Sequence, residues 1–122
     1  MQVQQKVVLI VEEEALIRMN AAEVIEDAGD GVVEAGDAEE AIQVLENRDD
    51  VSIMFTDIDM LTGSMNGLRL AATVSRRWPP IRIIATSGRI AVRDGDLPAG
   101  SLFLPKPYTH NVQTAALADI AA

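Results

Sequence analysis

The amino-acid sequence predicts an α/β domain: a five-stranded parallel sheet with helices on both faces. Three observations carry this prediction. A strand pattern followed by a helix pattern recurs along the chain, about five times in all. The strands read as continuous apolar runs, which suits a central parallel strand covered by helices on both sides. The polar residues that interrupt the apolar pattern fall just after the strand ends. Alternation of this kind implies right-handed crossovers.

Val7 to Val11 (VVLIV) is the first strand. Ile17, Ala21, Val24 and Ala28 then recur at helical spacing and predict one buried face, with Gly29 as the stop. Val32 to Ala35 reads as the second strand. Asp37 followed by Glu40 forms a capping box for a helix whose stripe is Ala38, Ala41, Ile42 and Leu45. The third strand, Val51 to Thr56, ends at Asp57. Gly63 and Gly67 mark the loop after it, and Asn66 caps a helix that runs to Trp78 and stops at Pro79–Pro80. Ile81 to Ala85 is the fourth strand. The stretch GRIAVRDGDLPAG is a poor helix, because Gly95 interrupts it and Pro98 closes it; at most two turns are expected. Leu102 to Leu104 is a short fifth strand, and Thr109 opens a last helix through Val112, Ala116 and Ile120.

Length and composition narrow the function classes. A chain of 122 residues, nearly half apolar, suits one globular domain. It is read as a single domain over residues 1–122, with a disordered leader at residues 1–5 and no output domain. The apolar runs are too short and too often charged to span a membrane, and no export signal opens the chain. The absence of cysteine excludes thiolate chemistry and disulfides. These features fit a cytoplasmic protein. A net charge of −9, from 19 acidic and 10 basic residues, disfavours binding to nucleic acid.

The candidate functional residues converge on one sheet edge. Glu12, Glu13 and Glu14 follow the first strand, Asp57 and Asp59 the third, Thr86 and Ser87 the fourth, and Lys106 the fifth. Open parallel sheets bind ligands beyond the carboxyl ends of their strands. Clustered carboxylates there make an oxygen-rich pocket suited to Mg²⁺. Asp57 can act as a nucleophile toward phosphorus, with Lys106 offering positive charge and Thr86 a hydroxyl donor to phosphoryl oxygens.

Taken together and in order, VVLIVEEEALIR, FTDIDM, MNG, IIATSG and FLPKPY resemble the receiver domains of bacterial two-component response regulators. The resemblance extends over essentially the whole chain. It implies a doubly wound, flavodoxin-like fold with strand order 2-1-3-4-5, acting as a phosphorylation-dependent switch or phosphorelay shuttle. Asp57 is then the phosphoacceptor, supplied by a sensor histidine kinase or histidine phosphotransfer protein. The implied metal is Mg²⁺, held by Glu12, Glu13, Asp57 and the Asp59 backbone carbonyl. Thr86 and Lys106 bind the phosphoryl group, while Thr86 and Phe103 form the switch. Lys106–Pro107 matches a peptide bond that is usually cis in the family. The implied output is a downstream protein bound at the surface made by helix four, strand five and helix five.

The sequence departs from the family at three places. Glu13 stands where the metal-ligating acid is typically Asp, so its carboxylate reaches one methylene further and weakens the Mg²⁺ geometry. Leu61 replaces a usual proline, and the loop from Asp57 to Met65-Asn66-Gly67 is longer than typical. Two other functions compete. A degenerate receiver would act by protein binding without phosphorylation, its metal site spoiled by Glu13. A haloacid-dehalogenase-type phosphatase would use Asp57-Ile58-Asp59, although in that class the motif ends the first strand. Such a protein is an enzyme that turns over substrate, whereas a receiver is a phosphoacceptor that catalyses only its own phosphorylation and dephosphorylation.

Overall fold

A computed structural model describes residues 6–60, 65–89, 92, 93 and 95–121. The expected leader at residues 1–5, together with Leu61 and Gly63, lies outside the described residues. Five parallel strands, β1 (Val7–Val11), β2 (Gly31–Ala35), β3 (Val51–Asp57), β4 (Arg82–Ser87) and β5 (Leu102–Pro105), form one sheet in the order β2-β1-β3-β4-β5. The helices described are α1 (Ala15–Asp27), α2 (Ala38–Asn47), α3 (Gly67–Arg77) and α4 (His110–Ala121). This is the doubly wound architecture predicted from the sequence.

Side-chain alternation along the central strands divides the core in two. Val8, Ile10, Ile53, Phe55 and Ile84 face α1 and α4, meeting Ala22, Ile25, Ala116 and Ile120. Leu9, Val11, Met54 and Ile83 face α2 and α3, meeting Ala41, Leu45, Leu70 and Val74. Both faces are apolar because helices cover both, which explains the continuous runs in the sequence. Local chemistry places the helix starts. The Asp37 carboxylate accepts from the Glu40 amide at 2.8 Å, the Asn66 side chain from the Arg69 amide at 2.9 Å, and the Thr109 hydroxyl from the Val112 amide at 3.1 Å. Gly29, with φ of 95°, follows α1 as predicted.

Three expectations need correction. Ile17 and Val112 were placed on buried stripes, but both are exposed, at 36% and 46%. Ala28 is exposed as well, and Ala22 and Ile25 complete the buried face of α1. Strand β4 continues through Thr86 and Ser87, because Thr86 O accepts from Ile58 N and Ser87 O from Lys106 N, extending the ladder on both sides. Finally, no helix forms among the described residues between β4 and β5. Gly95 is left-handed there (φ 92°), the Asp96 carboxylate captures the Arg93 amide at 2.8 Å, and Pro98 begins a turn closed by Ser101 N. The fourth helix of the expected output surface is thus not seen among the described residues, whereas its other two elements are present as β5 and α4.

Candidate functional site

Each strand that carries a candidate residue ends at the same edge of the sheet. Parallel register aligns Val11 with Thr56 and Asp57 with Thr86, so β1, β3 and β4 finish side by side. Beyond them lies an open cleft of about 270 Å³, lined by Glu12, Glu13, Glu14, Asp57, Asp59, Gly88, Arg89 and Lys106. Glu12, Asp57 and Thr86 are buried, Glu13 and Lys106 half-buried, and Glu14 exposed.

Lys106 joins the two buried acids. Its ammonium lies 3.2 Å from Glu12 Oε1 and 3.3 Å from Asp57 Oδ1. Burial pulls the Lys106 pKa down, but the Asp57 and Glu12 carboxylates outweigh that and hold it above its ordinary value. Glu12 moves upward: burial first, then the neighbouring Asp57 charge, raise its pKa against the opposing pull of Lys106. Two carboxylates sharing one ammonium are thus under-compensated, an arrangement that favours a further cation. Lys106–Pro107 is cis, as the motif implied.

Asp59 divides its groups between two tasks. Its backbone N–H donates to Asp57 Oδ1 at 3.1 Å, beside the acceptor. Its carboxylate accepts from Ser87 Oγ at 2.6 Å, Gly88 N at 2.8 Å and Arg89 N at 3.1 Å. Burial raises its pKa, but the Ser87 hydroxyl, the two amides and the Lys106 charge together prevail, so it lies below the ordinary carboxylate range. Phe103 is half-buried on β5, in register with Ala85 rather than within the acidic cleft.

The sequence reading assigned no role to Arg18. From the first turn of α1 it donates to the Glu12 carbonyl at 2.8 Å and to Glu34 Oε1 at 3.0 Å, bracing the turn that carries Glu12 and Glu13. A basic residue one helical turn after an acidic strand end was the available signal. The Asp59 carboxylate and Ser87 were noticed, but their mutual contact was not.

The donor set suits a hard cation. Only oxygen ligands are offered, two buried carboxylates carry more charge than Lys106 neutralises, and the cleft is open enough for water. Among the described residues no three Asp, Glu, His or Cys side chains gather as a self-sufficient metal cage. Mg²⁺ does not require one, since it binds through one or two carboxylates and retains several waters.

A family model described as the response regulator receiver domain matches residues 8–117. The chain belongs to this family. The receiver is 34% identical over 106 residues to the transcriptional regulatory protein PdtaR of Mycobacterium tuberculosis H37Rv, covering 84% of this chain and 50% of that protein. It thus spans about half the length of the curated relatives it matches. Among solved structures, it resembles a response regulator receiver protein from Pseudomonas putida, with TM-score 0.84 and 26% identity over 97% of this chain and 99% of that one. A receiver protein from Sinorhizobium medicae WSM419 shares the fold at TM-score 0.86 and 22% identity, over 96% and 94% of the two chains.

Membership makes residues 8–117 a receiver domain, the module of His-to-Asp phosphorelay signalling. The phosphatase alternative falls, because Asp57 ends the third strand and the Asp59 carboxylate is committed to the β4 turn. The degenerate alternative is likewise displaced: Glu12, Asp57 and Lys106 stand assembled. No described helix is long and apolar enough to cross a membrane.

Proposed function

We propose that Asp57 accepts a phosphoryl group from a phosphohistidine of a sensor kinase or phosphotransfer protein, making the domain a switch or shuttle in the cytoplasm. The observation that carries this reading is the Lys106 ammonium, set between Glu12 and Asp57 at 3.2 and 3.3 Å. A carboxylate oxygen of Asp57 bonds to phosphorus as the donor's phosphorus–nitrogen bond breaks. The electron pair stays on the imidazole, which takes a proton from solvent. Lys106 faces the charge arriving on the phosphoryl oxygens, and the Thr86 hydroxyl, in register beside Asp57, donates to one of them.

Glu12, Glu13, Asp57 and the Asp59 backbone carbonyl would hold Mg²⁺. When bound, the metal neutralises the carboxylates and polarises a phosphoryl oxygen. Glu13 lines the cleft and contributes a longer arm than aspartate, so Mg²⁺ affinity is expected to be modest. Phosphorylation then shifts a two-state equilibrium involving Thr86 and Phe103, read by a downstream protein at β5, α4 and the segment preceding β5.

Intact mass spectrometry after incubation with acetyl phosphate tests this reading. One Mg²⁺-dependent phosphoryl adduct, absent from Asp57→Asn, is expected. An unmodified folded wild type in excess Mg²⁺, or equal labelling of the variant, would overturn it.

A further inference from the structure

The Asp59 carboxylate accepts hydrogen bonds from three consecutive residues after Thr86: Ser87 Oγ at 2.6 Å, Gly88 N at 2.8 Å and Arg89 N at 3.1 Å. The contact joins segments 28 residues apart in sequence. The same residue donates its N–H to Asp57 Oδ1. One residue therefore touches both the phosphoacceptor and the turn that carries the phosphoryl-binding hydroxyl. The strand ladder already fixes the other side of this segment, through Ile58 N to Thr86 O and Lys106 N to Ser87 O. The turn beyond Ser87 is thus held by the Asp59 carboxylate together with the Arg89 N–H to Ser87 Oγ contact at 3.3 Å.

From this geometry we infer that Asp59 is a positioning residue: its carboxylate acts as a resting-state latch, occupying the donors of Ser87, Gly88 and Arg89 until a phosphoryl group on Asp57 competes for them. The inference rests on the proposed phosphoacceptor role of Asp57. Its physical basis is competition between two anions for one set of donors. A phosphoryl group brings more charge and more acceptor oxygens than a carboxylate, and hydrogen bonds to ionised acceptors are the strong ones. Phosphorylation also places that charge next to Asp59, so repulsion and donor loss act in the same direction. The turn after Thr86 is then free to follow its donors toward Asp57, and a local charge change becomes a displacement of backbone.

The latch predicts the sign of the effect. Removing it stabilises the phosphorylated arrangement, because the donors no longer have to be taken from a competitor. A residue that merely organised the site would have the opposite effect when removed.

The test compares wild type, Asp59→Asn, Asp59→Glu and Asp57→Asn at saturating Mg²⁺. The probe is beryllium fluoride, added as a phosphoryl analogue and followed by amide NMR. Asp59→Asn is expected to bind it about tenfold more tightly, the factor carried by one charge-assisted hydrogen bond. Asp59→Glu keeps the charge but misplaces the acceptor. Tighter binding in that variant too identifies the latch, whereas wild-type affinity there reduces the effect to plain repulsion and overturns the inference. In the resting state, Gly88 and Arg89 amide protons should exchange about tenfold faster in Asp59→Asn, and wild-type protection should return when the analogue binds. Unchanged exchange, or weaker analogue binding in Asp59→Asn, also overturns it. Failure of the wild type itself to bind the analogue or to be phosphorylated would instead strike the proposed function, with Asp57→Asn as the negative reference.

Discussion

Gly67→Ala probes how closely the third helix approaches the phosphoacceptor. Gly67 is buried at the first position of α3, and its N–H points to the Ile58 carbonyl at 3.4 Å. A methyl group there would meet the Asp57 carbonyl oxygen, with Ile58 Cα at 2.5 Å and the Asp57 carbonyl carbon at 2.9 Å. All three are backbone atoms, so no side chain can rotate out of the way. Relief requires α3 or the end of β3 to shift by roughly an ångström, since ordinary Cβ contacts begin near 3.4 Å. Overpacking of this kind costs about 1–3 kcal/mol, or about 4–12 °C in Tm for a domain of this size. Because the clash falls on the peptide of Asp57, labelling should suffer beyond the stability loss. A displacement of that size at a reacting group can cost roughly 10²-fold in rate. The assay is melting by circular dichroism, followed by acetyl phosphate labelling well below the variant's Tm. Gly29→Ala is the control: φ is 95° there and nothing lies within 4 Å of the added methyl, so it carries about 1–2 kcal/mol of left-handed strain and should label normally. A Gly67→Ala protein that melts and labels like wild type would refute the close approach.

Other perturbations test separate parts of the molecule. Asp37→Ala removes the acceptor for the Glu40 amide and should cost about 1 kcal/mol by chemical denaturation, leaving labelling unchanged. Gln113→Leu keeps the volume of a buried side chain but loses its 3.0 Å bond to the Ala21 carbonyl, which ties α4 to α1; a loss of about 1–3 kcal/mol is expected in the same measurement. The raised pKa of Glu12 means that the folded chain binds a proton more readily than the unfolded chain. That stabilising contribution is full below the ordinary value of 4.5 and is lost as pH rises through the raised one. Without Mg²⁺, Glu12→Gln should therefore flatten the decline of Tm with pH over that window, and an unchanged slope would assign the decline to other groups.

The sheet was legible because its central strands are buried on both faces and read as continuous apolar runs, while its strand order was what the resemblance to receivers implied. The site was legible for a related reason. Glu12, Asp57, Thr86 and Lys106 lie at or just after strand ends, so the backbone ladder alone brings them to one edge. Features set by side-chain direction were less accessible. The Asp59 carboxylate turns to Ser87, and Arg18 turns back to the Glu12 carbonyl, because of particular pairings that no periodicity encodes. The end of β4 was placed too early because the apolar run stops at Ala85, while the neighbours of Thr86 and Ser87 on β3 and β5 supply the bonds that keep them in the strand. Val112 sits at helical spacing from Ala116 and Ile120, yet it is exposed, while the next residue, Gln113, is the one that turns inward to the Ala21 carbonyl.

The charges at the strand ends also constrain the order in which the site can change. Lys106 is shared between Glu12 and Asp57, and both acids are buried. If Lys106 left Glu12 for a phosphoryl oxygen, it would expose a buried carboxylate to the neighbouring charge of Asp57 without compensation, which is the costly way to break a buried pair. A second cation beside Glu12 would remove that cost, and on the proposed reading Glu13 and the Asp59 carbonyl would help hold it. Lys106 would then be free to face the phosphoryl group. The coupling is reciprocal by linkage: a phosphoryl analogue that draws Lys106 away from Glu12 must raise the affinity for Mg²⁺ by the same factor by which Mg²⁺ raises the affinity for the analogue. On this reading the longer arm of Glu13 is tolerable, because Mg²⁺ would bind most firmly only once the phosphoryl group has claimed the lysine.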